Sequence, residues 1–90
     1  MKKRRVGVLI SGNGSNLQAL IDACAAADYP AQIVLVISNK PDAYGLVRAK
    51  NAGIPAHIVN HKDYASREEF DIAMNVLLNK YEAEFVCLAG

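Results

Sequence analysis

The feature that most constrains this chain is the alternation of short, continuous apolar runs with longer segments whose apolar residues follow helical spacing. The clearest runs are VGVLI at residues 6–10 and QIVLVI at residues 32–37. Such runs are typical of strands buried on both faces of a parallel sheet, because a half-exposed strand alternates apolar and polar side chains. The chain is therefore predicted to form a parallel sheet with helices packed on its faces.

Signals at the helix ends support this assignment. Ser15 or Asn16 is predicted to cap a first helix, which stops before Pro30. A second helix is predicted around residues 43–52, because Gly53 then provides a helix exit. The apolar positions of the first helix are Leu17, Leu20, Ile21 and Cys24.

The second half of the chain repeats the pattern. Ser66 followed by Glu69 predicts a capping box at the start of a third helix. Strands are predicted at residues 56–59 and 84–90, and a polar loop at residues 60–65. The apolar face of the third helix comprises Phe70, Ala73, Met74, Leu77, Leu78 and Tyr81.

The order β-α-β-α-β-α-β, with short connections, predicts an α/β fold with an open parallel sheet and right-handed crossovers. Since the last predicted element is a strand, we expect a fold truncated after its fourth strand. Ligands bind such sheets outside the carboxyl ends of the strands, where the strand order reverses. The segments predicted at that edge are residues 11–16, 38–42 and 60–67, and Gly90.

The turn after the first strand, SGNGSN at residues 11–16, predicts an anion site. Gly12 and Gly14 permit positive φ and a close approach of the backbone to a ligand. The amides and the dipole at the start of the next helix favour a negative charge. Ser15 and Asn16 add side-chain donors, so the turn is predicted to hold a phosphate.

Two nucleotide-binding motifs, the dinucleotide fingerprint and the P-loop, are incomplete in this chain, and this limits the kind of phosphate that the turn is predicted to bind. A dinucleotide fingerprint requires a small residue where this chain has Leu17, and an acidic residue where the second strand ends in Ser38 and Asn39. A P-loop requires Gly-Lys-Ser/Thr at a distance that the chain does not match. The remaining prediction is a phosphate monoester held by backbone amides and neutral donors.

The net charge, the lengths of the apolar runs and the two cysteines bear on whether the chain binds nucleic acid, a membrane or a metal. The formal net charge of +1 indicates no nucleic-acid partner, and the basic residues 2–5 are expected to be a solvated lead-in to the first strand. No stretch approaches the roughly 20 apolar residues of a membrane span. Cys24 and Cys87 lie in apolar runs without metal-ligand spacing, which predicts buried free thiols and no metal. The basic start is followed by too few apolar residues for a signal peptide, which predicts a cytoplasmic location.

Four segments closely resemble the glycinamide ribonucleotide transformylase family, also called phosphoribosylglycinamide formyltransferase. They are ISGNGSNLQAL at 10–20, SNKPDAYGLVRAKNAGIP at 38–55, SREEFD at 66–71 and VCLAG at 86–90. The resemblance implies a Rossmann-like formyltransferase fold, of which residues 1–90 would be the amino-terminal, phosphoribosyl-binding half. It also implies formyl transfer from 10-formyltetrahydrofolate to the amine of glycinamide ribonucleotide in purine synthesis.

The same resemblance implies roles for individual residues. Gly14, Ser15 and Asn16 match the family positions that hold the substrate 5′-phosphate, with Gly12 and Asn13 supporting the turn.

Two further positions match the family's ligand contacts. Arg67 matches a position on the folate side, where a cation meets the carboxylates of the folate tail. Gly90 matches the glycine beside the phosphoribosyl group. The family's catalytic Asn, His and Asp follow the fourth strand, so the resemblance assigns no catalytic residue to this chain. His57 is expected to be structural and His61 to be solvated.

Two other functions are compatible with the sequence. The first is a non-enzymatic phosphoribosyl-binding module that is complete at 90 residues. The transformylase-half hypothesis differs from it in predicting an exposed apolar sheet edge at residues 85–88, which the downstream half would cover. The second, half of an NAD-dependent reductase, is disfavoured by Leu17 and Asn39.

Overall fold

The computed structural model describes residues 3–89 and confirms the predicted α/β order. A short 3-10 turn at His61–Asp63 interrupts the predicted polar loop. The regular elements are β1 Arg4–Ile10, α1 Ser15–Cys24, β2 Ala31–Ser38, α2 Tyr44–Asn51, β3 Ala56–Ile58, α3 Arg67–Lys80 and β4 Phe85–Leu88.

The described strands form one fully parallel sheet in the order β3-β2-β1-β4. β1 lies inside the sheet, where Val8 is opposite Val36 of β2 and Cys87 of β4. The chain moves outward from β1 through β2 to β3, and then crosses to the other side of β1 to form β4. The strand order therefore reverses between β1 and β4, and their carboxyl ends border the crevice where such sheets bind ligands.

Helices cover both faces of the sheet, which explains the continuous apolar runs. Val8 and Ile10 of β1 pack in a core with α1 and α2, whereas Ile37 of β2 packs with α3 on the opposite face. A bulge in β2 opposite Val6 and Gly7 interrupts this alternation, because Val34 and Leu35 both pack on the α3 side.

The start of α1 differs from the prediction. Gly14 is the N-cap residue, with φ 79° and ψ 25°, and both Ser15 and Asn16 lie within the helix. In the described chain no side chain bonds to this cap, so the predicted Ser15 or Asn16 cap is wrong. A left-handed glycine turns the chain into the helix without help from a side-chain oxygen.

The other helix ends follow the sequence signals more closely. Gly53 has φ 73° and directly follows the last turn of α2, as predicted. The Ser66 hydroxyl accepts a hydrogen bond from the Glu69 amide (3.2 Å), which confirms half of the capping box. The Glu69 carboxylate accepts from the amide of Ala65 (3.1 Å) rather than from that of Ser66.

The outer edge of the sheet at β4 is apolar and open. Phe85, Val86 and Leu88 are 54%, 47% and 82% exposed, so the predicted apolar edge is confirmed. The strand is shorter than predicted and ends at Leu88. Gly90 lies outside the described residues.

The two cysteines are free thiols that are half-buried rather than fully buried. Burial raises the pKa of the Cys24 thiol, because an apolar environment disfavours the thiolate, and the ammonium group of Lys3 only partly opposes this shift. Cys24 is therefore a poor nucleophile at neutral pH. Within residues 3–89, no helix has the length and apolar character needed to cross a membrane.

The expectation that the basic residues 2–5 are a solvated lead-in is wrong for Lys3 and Arg5, whereas Arg4 is exposed as expected. The Lys3 ammonium donates to the carbonyl oxygens of Cys24 and Ala26, both at 2.7 Å, at the end of α1. Arg5 bonds in the same way to the end of α3. Carbonyls at a helix C-terminus lack partners within the helix, and cations there also complement the helix dipole.

Replacement of Arg5 by alanine is expected to lower the free energy of unfolding by about 1–2 kcal/mol. The variant removes the Arg5 guanidinium, which donates hydrogen bonds to the carbonyl oxygens of Tyr81 (2.7 Å) and Glu82 (3.1 Å). The matched control is Arg4→Ala, because Arg4 pairs at the exposed surface with Glu84 (3.0 Å) and should contribute less than about 1 kcal/mol. Urea unfolding followed by circular dichroism measures both, and equal losses would contradict the assigned role of Arg5.

Candidate functional site

The site begins at the turn that connects the carboxyl end of β1 to α1. The Gly14 carbonyl accepts the first helical bond from the amide of Gln18 (2.8 Å). The preceding amides at the head of α1 have no acceptor within a helix. Ser15 and Asn16, which carry the first of these amides, are exposed. An anion at this point can accept bonds from backbone amides and from the Ser15 and Asn16 side chains, and the helix dipole favours it.

Only the second glycine of the turn uses the conformational freedom expected of both. Gly14 has φ 79°, whereas Gly12 is not among the described positive-φ residues. Gly12 instead offers its carbonyl oxygen to the amide of Gly45 in α2, at 3.2 Å. The turn is therefore bonded to a second helix as well as to α1.

The turn and α2 are in backbone contact at Gly14 and Gly45. A Cβ atom added to Gly14 would lie 2.7 Å from the Cα of Gly45, closer than real Cβ atoms approach. A Cβ added to Gly45 would overlap the Cδ1 atom of Ile10 and lie 3.4 Å from the Cα of Gly14. Gly14 therefore requires glycine, whereas a side chain at Gly45 would first have to displace the end of the Ile10 side chain.

Arg48 of α2 joins the same turn through its side chain. Its Nε and Nη2 atoms donate to the carbonyl oxygen and the side-chain Oδ1 of Asn13, each at 3.0 Å. Its Nη1 atom donates to Oε1 of Gln18 in α1, at 3.3 Å. The guanidinium carbon lies 4.9 Å from the centre of the Tyr44 ring, so the aromatic side chain covers the cation.

Sequence reasoning missed both Gly45 and Arg48. Gly45 lies inside a predicted helix, where glycine costs about 1 kcal/mol relative to alanine. A glycine in that position indicates a close packing contact. Nothing in the spacing links Arg48 to Asn13, because the two residues are brought together only when α2 packs on the turn.

On the α3 side of the sheet, the carboxyl ends of the strands border two cavities of about 320 and 480 Å³. Asn39, which follows β2, lines both, and its buried Oδ1 atom has no hydrogen-bond partner among residues 3–89. Ser11 and Leu88 line the smaller cavity, which is mainly apolar. The larger cavity is lined by Asn39, His61, Tyr64, Ala65, Ser66, Arg67 and Phe70.

Arg67, the residue expected to contact folate, begins α3 at the rim of the larger cavity. Its side chain is 88% exposed, and its Nε atom lies 3.8 Å from Oδ1 of Asp71. An exposed pair at this distance contributes little to stability, and a cation in the first turn opposes the helix dipole. Arg67 therefore contributes little to the stability of α3, and its exposed guanidinium lies at the rim of the larger cavity.

Each of the two histidines contacts an aromatic side chain. Nε2 of His57 is 2.8 Å from the Tyr81 hydroxyl oxygen, a contact that ties β3 to the end of α3, as expected for a structural side chain. His61 is exposed, as expected, with its ring edge-on to Phe70 at 6.4 Å. In the described range, no three His, Cys, Asp or Glu side chains come together as a metal site.

A sequence profile described as formyl transferase matches residues 4–90. The chain belongs to the formyl transferase family. It is 54% identical over 89 residues to the human trifunctional purine biosynthetic protein adenosine-3, covering 99% of this chain and 9% of that protein. It is 48% identical to phosphoribosylglycinamide formyltransferase of Haemophilus influenzae, covering 97% of this chain and 41% of the relative.

Solved structures of the family agree. Glycinamide ribonucleotide transformylase 1 from Symbiobacterium toebii superposes with a TM-score of 0.92 at 46% identity, covering 98% of this chain and 42% of that one. The predicted resemblance to this family and its fold is confirmed. The chain spans less than half the length of these relatives.

Alanine substitutions at the two positive-φ glycines, Gly14 and Gly53, test whether the turn packs tightly against α2. Gly53→Ala is expected to cost about 1 kcal/mol, because φ is 73° but nothing lies within 4 Å of the added Cβ. Gly14→Ala should cost about 2–4 kcal/mol, because the same backbone strain is joined by the overlap with Gly45. Urea unfolding checks both, and equal losses would mean that the turn and α2 are not in tight contact.

Proposed function

We propose that this chain carries the substrate phosphate site of a phosphoribosylglycinamide formyltransferase. The reaction transfers a formyl group from the co-substrate 10-formyltetrahydrofolate to the amine of glycinamide ribonucleotide in purine synthesis, and needs no metal. The observation that carries the proposal is the glycine-capped start of α1, where exposed Ser15 and Asn16 follow a left-handed Gly14 in a member of the formyl transferase family.

The assigned ligand is a phosphate monoester, bound by Gly14, Ser15 and Asn16 and supported by Gly12 and Asn13. Backbone amides at a helix N-terminus suit a terminal phosphate, which presents several oxygens to donors from one direction. A relative from Haemophilus influenzae is named for phosphoribosylglycinamide, which supports a phosphoribosyl substrate. Gly90 keeps its proposed role beside the phosphoribosyl group.

Catalysis is assigned to residues beyond this half-domain. Formyl transfer requires stabilisation of a tetrahedral oxyanion and a proton transfer from the attacking amine. The relatives are more than twice as long as the matched segment, and the exposed edge at Phe85, Val86 and Leu88 supports further packing there. Ile72 and Val76 add exposed apolar surface one turn apart on α3.

We place the enzyme in the cytoplasm, consistent with free thiols at Cys24 and Cys87.

The test compares glycinamide ribonucleotide with glycinamide riboside, which differs only in lacking the phosphate. Residues 1–90 are expected to bind the ribonucleotide and not the riboside in isothermal titration calorimetry, and to form no product when 10-formyltetrahydrofolate is added. A protein that includes the remainder of the domain should transfer the formyl group. Equal affinity for both ligands would reject the phosphate site, and binding without turnover in the longer protein would favour the non-enzymatic module.

A second prediction concerns the folate side. In a protein that includes the remainder of the domain, Arg67→Ala should raise the KM for 10-formyltetrahydrofolate about tenfold, because the glutamate carboxylates lose a cation. The KM for glycinamide ribonucleotide should not change. Lys62→Ala is the control, since Lys62 is an exposed cation in the neighbouring 3-10 turn. If Arg67→Ala raises the KM for a folate analogue without the glutamate by the same factor, Arg67 does not bind the folate tail.

A further inference from the structure

We propose that Arg48 is a positioning residue for the phosphate turn, acting through Asn13 and Gln18 rather than by touching the ligand. The inference rests on the proposed function, because it assigns a role within the same phosphate site. Three donors of one guanidinium are used in the contact: two bond to the two oxygens of Asn13, and one bonds to Gln18 of α1. Arg48 thereby ties α2 to the turn and to the helix whose amides face the anion.

The turn needs such an external restraint because of its sequence. Asn13 lies between Gly12 and Gly14, and glycine loses more conformational freedom on ordering than any other residue. Local sterics therefore restrict the position of Asn13 less than in an ordinary turn. A ligand that must order the turn when it binds loses affinity, whereas a turn that is already ordered binds without that loss.

The geometry of the contact favours restraint over simple attraction by a positive charge. Nε and Nη2 donate in parallel to the carbonyl oxygen and to Oδ1 of one residue, which requires a planar fork of donors. The ring of Tyr44 lies against the guanidinium and limits its movement. A lysine ammonium keeps the charge but cannot reproduce the two parallel bonds together with the bond to Gln18.

This difference defines the experiment. Ribose 5-phosphate is titrated into the ¹⁵N-labelled protein, and the amide signals of Ser15 and Asn16 report the dissociation constant. Arg48→Lys should weaken binding about five- to tenfold, although the net charge is unchanged. It should also speed hydrogen exchange of the Gly45 amide, which donates to the Gly12 carbonyl oxygen of the turn (3.2 Å). Lys50→Ala, which removes a cation two positions along the same helix, should leave the affinity within about twofold.

Two further variants separate positioning from general stability. Gly53→Ala destabilises the end of α2 by backbone strain and should not change the affinity. Gln18→Ala removes one acceptor of Arg48 and should weaken binding about two- to threefold. Gln18→Ala also tests the proposal if Arg48→Lys does not fold.

The outcomes distinguish this proposal from the proposed function. If the unmodified protein does not bind ribose 5-phosphate, the phosphate site itself is wrong and the role of Arg48 falls with it. If the unmodified protein binds and Arg48→Lys binds equally well, the positioning role is overturned while the phosphate site stands. Equal losses in Arg48→Lys and Lys50→Ala would also overturn the role, because a nonspecific effect of α2 would then explain them.

Discussion

The position of β1 inside the sheet is the constraint on which the rest of the structure depends. β1 pairs with β2 on one side and β4 on the other, and the helices that cover both faces of the sheet require an apolar run along residues 6–10 of this strand. The same position makes its carboxyl end the point at which the strand order reverses. The sheet therefore places the turn that follows β1 at the crevice where such folds bind ligands.

The glycines of this turn serve two different purposes. Gly14 supplies a left-handed cap that leaves the head of α1 without a side-chain acceptor, while Gly12 bonds through its carbonyl to Gly45. The missing Cβ atoms of Gly14 and Gly45 allow α2 to reach the turn, and this approach brings Arg48 to Asn13. Contacts with α2 thus add to the hydrogen bond that the Gly14 carbonyl oxygen accepts within the turn's own segment of the chain.

Two basic residues at the start of the chain, Lys3 and Arg5, stabilise the C-terminal ends of helices. Lys3 and Arg5 lie at the amino ends of the parallel strands, and the helices of such a fold return to that end and finish there. Their terminal carbonyls need donors, and long cationic side chains reach them. The opposite end of the sheet gathers helix N-termini, where Ser15, Asn16 and Arg67 lie. The fold thereby places helix C-termini with their cationic partners at one end of the sheet and helix N-termini at the other.

The amino-acid sequence by itself determined the strand and helix order, the α/β class, the family and the position of the glycine turn between β1 and α1. These depend on local signals: continuous apolar runs, the exit at Gly53, the cap at Ser66 and the SGNGSN motif. Only the tertiary structure decided that Gly14 replaces a side-chain cap and that Arg48 bonds to Asn13. The bond between Arg48 and Asn13 joins residues distant along the chain, and it exists only after α2 has packed against the turn. The left-handed conformation of Gly14 lies at the same contact, where its Cα approaches Gly45 of α2.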